Sequence, residues 1–129
     1  MNDDQTKKSS SGSWLVTFFL TCWLNMVVFF LTSALIGGTA QNGKFESGKY
    51  YVGSHSKYTE VSKAMFEFSS THFVFTIITF VPTLLAILLS RKKPSGSIFR
   101  GHSRQQWSFA IGVPLFWLII FFLIHLTSA

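Results

Sequence analysis

Charged positions in this chain are separated by apolar blocks far longer than a soluble helix or strand requires. Residues 9–43 form a charge-free run of 35, residues 68–90 one of 23, and residues 105–129 one of 25. A membrane-spanning helix needs about 20 predominantly apolar residues, so each run has room for one span. The pattern predicts an all-α membrane protein with three transmembrane helices, placed within 14–37, 60–90 and 106–127. The stretches Trp14–Ile36, 71–90 and 107–126 contain no Asp, Glu, Lys or Arg. The first stretch has 23 residues, against about 7–15 for the apolar region of a signal peptide. It is therefore read as an uncleaved span, although Lys7 and Lys8 precede it and Gly38-Thr39-Ala40 resembles a cleavage site.

The polar residues inside the spans are not scattered. Thr17, Thr21, Asn25 and Thr32 are spaced 4, 4 and 7 apart, which puts them on one stripe of a helix. In a bilayer such a stripe marks a helix–helix face, and the Asn25 amide in particular needs partners in hydrocarbon. His72, Thr76, Thr79, Thr83, Ala86 and Ser90 form a second seam with spacings of 4, 3, 4, 3 and 4. Its register continues backwards through Phe68, Met65 and Val61, which predicts one helix over 60–90 capped by Thr59. Such a helix is about 46 Å long against a hydrocarbon core of about 30 Å, so its start projects beyond the outer surface. Pro82 is expected to kink it. In the third span Ser108 and Gly112 have the small-xxx-small spacing of a close-packing face, as do Ser33 and Gly37 at the end of the first.

The basic residues set the orientation. The tail 1–13 has Lys7 and Lys8, and the connector 91–105 has Arg91, Lys92, Lys93, Arg100 and Arg104. The segment between the first two spans has Lys44, Lys49, Lys57 and Lys63. Basic residues concentrate on the cytoplasmic side, so the N-terminus is expected inside and the C-terminus outside a cell (inner) membrane. Residues 38–59 then form an exported loop, with Asn42-Gly43 as a tight turn. Tyr50, Tyr51 and Tyr58 in that loop, and Arg91, Lys92 and Lys93 in the connector, are the candidate contacts to lipid or a partner.

Composition sharpens this picture. Charged residues make up 12% of the chain, about half the usual share of a soluble domain. The net charge of +6 is explained by topology, so nucleic acid is not an expected partner. Cys22 is the only cysteine, which excludes an intrachain disulfide. No HExxH, GxxxxGK[ST], CxxC or G-x-S-x-G pattern occurs, and no metal site or enzyme activity is expected. The acids Asp3, Asp4, Glu46, Glu60 and Glu67 all lie outside the apolar stretches, which argues against an ion-coupled pump. Counted from the basic connector, His72 and His125 fall about 28 and 31 Å along their helices, at similar heights near the outer surface. Two imidazoles at one depth can ligate a haem or a metal.

These features predict a structural or accessory subunit that packs through its polar seams into a homo-oligomer or a larger membrane complex, surrounded by membrane lipids. Two alternatives are a histidine-ligated haem or metal anchor of an electron-transfer complex, resting on His72 and His125, and a holin-like pore-former.

Overall fold

The computed structural model describes residues 3–89 and 103–128, with side chains described from residue 14 onward. Three helices dominate: α1 (Asp3–Ile36), α2 (Lys63–Leu89) and α3 (Arg104–Ser128). All three contain a stretch long and apolar enough to cross a membrane, the architecture of a multi-pass membrane protein. α1 lies against both of the others, while α2 and α3 meet over a smaller area. The side chains agree, because the apolar stretch of α1 is 39% buried, against 11% for α2 and 22% for α3. The buried stripe of α3 is Gln106, Ala110, Pro114, Trp117 and Phe121, at helical spacings of 4, 4, 3 and 4. α2 runs as one helix through Pro82. The connector residues Arg91, Lys92, Lys93 and Arg100 lie outside the described residues.

The expectation of an all-α chain is corrected between the first two spans. Where a loop over 38–59 was expected, the chain builds a three-stranded antiparallel sheet of β1 (Thr39–Glu46), β2 (Lys49–Ser54) and β3 (Lys57–Val61). Two-residue turns join the strands. Ser47 and Gly48 have φ of 52° and 80°, and His55 and Ser56 have 46° and 67°. Positive φ at both central residues is the turn geometry whose twist matches that of the flanking strands. The Asn42-Gly43 pair expected as a turn instead lies inside β1, where the register to β2 shifts between Thr39 and Lys44. A side chain at Gly43 would collide with the backbone oxygen of Tyr51, so a glycine is required there by close approach.

The helix boundaries follow from capping. α1 ends where Gly38 N–H donates to Ser33 O (2.8 Å) and Gly37 N–H donates to Ala34 O (3.3 Å). With Gly37 at φ 85°, this is a glycine C-cap of Schellman type. The first helical residue of α2 is Lys63 rather than Glu60, and the cap is Ser62 rather than Thr59. The Ser62 hydroxyl accepts the Met65 N–H at 3.2 Å. Val61, which fitted the helical register by spacing, instead pairs with Tyr50 across β2 and β3. α3 opens on a reciprocal capping box: Ser103 N–H donates to Gln106 Oε1 (2.8 Å), and Gln106 N–H donates to the Ser103 hydroxyl (3.3 Å).

Strand alternation gives the sheet two unlike faces. Tyr50, Val52 and Val61 turn towards the helices, and Val52 is fully buried beside Ile36, Met65 and Phe68. Ala40 N–H donates to the Ser69 hydroxyl at 3.1 Å, which fixes β1 to α2. The opposite face carries Lys44, Glu46, Lys49, Tyr51, Tyr58 and Glu60. A sheet this small needs a helix to pack against, and the start of α2 supplies it.

Candidate functional site

Deep between the helices the two polar seams meet. Thr17, Thr21, Asn25 and Thr32 on α1 are all buried, as are His72 and Thr76 on α2. The threonines first satisfy themselves. Thr21 donates to Thr17 O (2.8 Å), Thr32 to Val28 O (3.0 Å), Thr76 to His72 O (2.8 Å), Thr79 to Phe75 O (2.8 Å) and Thr83 to Thr79 O (2.7 Å). A hydroxyl bonded to its own helix costs little in hydrocarbon, because no donor is left open.

Asn25 cannot do this and bonds across the interface. Its Nδ2 donates to Thr76 Oγ1 at 2.9 Å, which turns its Oδ1 towards His72 Nε2 at 3.2 Å. The amide oxygen can only accept, so His72 carries its proton on Nε2 and donates it. Thr76 in turn donates to the His72 carbonyl, and the three residues close a loop of hydrogen bonds between α1 and α2. The His72 ring is held by aromatic neighbours: Trp117 stacks on it at 4.4 Å and 5°, and Phe29 and Phe68 meet it edge-on at 5.5 Å. α3 thus joins the polar staple through Trp117, whose ring also touches Phe68 and Phe75. Nδ1 of His72 is buried with no hydrogen-bond partner.

The two histidines do not form one site. His125 is exposed and stacks on Phe121 at 5.9 Å. His72 is level with Trp117, eight residues before His125, which separates the imidazoles by about 12 Å along α3. The expected common height assumed that α2 and α3 begin level at the connector, whereas the two helices are offset. No group of three or more metal-ligating side chains occurs among the described residues.

Towards the end of the bundle that carries Leu89 and Arg104, the α2 seam is less covered. Thr79 and Thr83 are only half-buried, and Ala86 is exposed. The gap is a cleft of about 290 Å³ lined by Phe18, Thr21, Cys22, Thr79, Thr83 and Phe109, among others. The Cys22 Sγ lies 3.5 Å from Thr79 O and 3.7 Å from Thr83 Oγ1.

The remaining candidates divide. Ser108 and Gly112, expected as a packing face, are exposed and are not covered by any other element among the described residues. A methyl group built on Gly112 would meet no atom of another described element within 4 Å. Tyr50 is half-buried between Phe45 (4.7 Å) and Phe66 (5.3 Å) and serves the sheet–helix contact. Tyr51 and Tyr58 flank Lys44, whose ammonium lies 5.8 Å and 4.8 Å from the two ring centres.

Lys44 also pairs with Glu46, and Lys49 with Glu60 at 2.9 Å. The hydrogen bond to Lys44 holds the Glu46 pKa below its ordinary value, and the same bond raises that of Lys44. The bond to Glu60 likewise raises Lys49.

Spacing alone did not single out Trp117 or Cys22. Trp117 has the signal of the apolar stripe through Pro114 and Phe121, and Cys22 is one position off the Thr21–Asn25 line. Comparison with protein-family models, with curated proteins and with solved structures finds no match to this chain.

Proposed function

We propose that the chain is a structural or accessory subunit of a membrane assembly, docking laterally through α3 into an oligomer or a larger complex. The observation that carries this reading is the outward face at Ser108 and Gly112. It is a small-residue surface at helix depth that no described part of the chain covers. In hydrocarbon, apolar burial gives helices no reason to associate, and close backbone approach over small residues is what favours contact. The deep polar groups support the same role, since Asn25, His72 and Thr76 are spent on joining α1 to α2. With the basic connector on the cytoplasmic side of a cell membrane, the sheet stands on the outer surface and presents Lys44, Tyr51 and Tyr58.

A photo-crosslinking side chain at residue 112, in native membranes, tests this. It is expected to yield a covalent protein adduct, whereas the same group at the buried Ala110 on the opposite face yields none. Equal yields at both positions, or lipid adducts alone at residue 112, would overturn the reading.

A further inference from the structure

We propose that the cleft between α1, α2 and α3 holds one acyl chain of an anionic phospholipid whose headgroup lies beside Arg104. Depth comes first. Thr79 lies ten residues, about 15 Å, from the end of α2, half the thickness of a hydrocarbon core. Whatever fills the cleft therefore comes from the bilayer.

The chemistry of the walls excludes water and polar ligands. A volume of about 290 Å³ would hold several waters at roughly 30 Å³ each, and each would need two to four polar partners. The hydroxyls of Thr21, Thr79 and Thr83 already donate to carbonyls of their own helices, and the Asn25 amide in the same wall is bonded to Thr76 and His72, so the walls present mainly methyl groups and aromatic rings. Size excludes a helix as the occupant, since one with its side chains is about 10–12 Å across. Phe18 and Phe109 meet at 5.3 Å and tie α1 to α3 beside the cleft, which leaves space for a flexible chain only.

Charge selects the lipid. Arg104, exposed at the first position of α3, lies five residues or about 7.5 Å from Phe109, between the cleft and the aqueous side. No Asp or Glu occurs in α3 or in α2 after Glu67. Arg104 is the charged residue described at the mouth of the cleft, and one basic residue beside an anionic headgroup favours it by about fivefold, equivalent to about 1 kcal/mol. This inference goes beyond the lateral docking proposed above and does not depend on it, because the cleft and the Ser108–Gly112 face are separate surfaces.

The test is native mass spectrometry of the full chain released from mixed micelles of phosphatidylglycerol and phosphatidylcholine with identical acyl chains. The wild type is expected to retain one phosphatidylglycerol in preference to phosphatidylcholine. Thr83→Phe and, from the opposite wall, Val113→Phe fill the cleft and should abolish the adduct while circular dichroism stays helical. Arg104→Gln should keep a lipid but lower the preference for phosphatidylglycerol by about fivefold. The proposal is overturned if no lipid is retained, if both lipids are retained equally by the wild type, or if whichever filled variant folds keeps the adduct. A Cys22–Cys22 disulfide formed readily between chains in membranes would put a second copy in the cleft and would also overturn it.

Discussion

Replacing Asn25 with leucine tests the polar staple, because leucine keeps the branched shape and removes both interhelical hydrogen bonds. Interhelical side-chain hydrogen bonds in membrane proteins average about 0.6 kcal/mol and reach about 1.7. The greater cost comes from the group that the substitution strands. His72 is fully buried, its Nδ1 already lacks a partner, and Asn25→Leu would leave the Nε2 proton without one as well. An unsatisfied buried donor costs about 1–3 kcal/mol, so the single substitution should cost about 2–3 kcal/mol. His72→Phe retains a flat ring to stack on Trp117 but orphans Asn25 Oδ1, for about 1–2 kcal/mol. The double variant removes both stranded groups and leaves the Thr76 hydroxyl on its own helix. It should therefore cost less than the two single variants added together, by about 1.5 kcal/mol. Reversible unfolding in mixed lipid–detergent micelles by titration with sodium dodecyl sulfate, followed by circular dichroism, measures all three. Additivity of the two substitutions to within about 0.3–0.5 kcal/mol would refute the reasoning, since it would mean that Asn25 and His72 do not depend on each other.

Three further outcomes follow from the same geometry. Trp117→Ala removes the ring that touches His72, Phe68 and Phe75, and should cost about 3–5 kcal/mol in the same unfolding assay. Ser62→Ala removes the N-cap of α2 and should cost about 1 kcal/mol, with amide exchange faster in the first turn of α2 than elsewhere in that helix. The Glu46 carboxyl, held below the ordinary 4.5 by Lys44, should titrate below that value by NMR. Its folded pKa is depressed, so its contribution to the sheet is present at neutral pH and is lost as pH falls through the folded midpoint. Lys44→Ala should return the midpoint to the ordinary value and remove that pH dependence.

The sequence disclosed the helices more fully than the sheet, and the reasons are physical. Apolar length over Trp14–Ile36 is a strong signal, because no soluble element needs 23 such residues. The threonine and asparagine stripe was legible because polar atoms in hydrocarbon must face another helix, and Thr17, Thr21, Asn25 and Thr32 do. The sheet was hidden by its shortness. Lys49-Tyr50-Tyr51-Val52 alternates and is rich in strand-forming residues, but its aromatic and basic character equally suits a loop at headgroup level. One of its turns had a readable signal in Ser47-Gly48, whereas His55-Ser56 adopts positive φ without a glycine. Val61 illustrates the limit of periodicity, since a strand residue four positions before Met65 satisfies a helical spacing by coincidence. Ser103-x-x-Gln106 was a readable start for α3. The histidine heights failed because counting residues from a connector gives distance along each helix but not the offset between helices.

The assembly itself is the most direct test of the account. Membranes containing the tagged full-length chain, extracted into native nanodiscs without detergent, allow the mass of the protein particle to be read. The account predicts a protein mass exceeding one chain of 14.6 kDa by at least one further subunit. Gly112→Leu should reduce it while the staple between Asn25 and His72 stays intact. A particle containing a single chain, with or without lipid, would contradict the account.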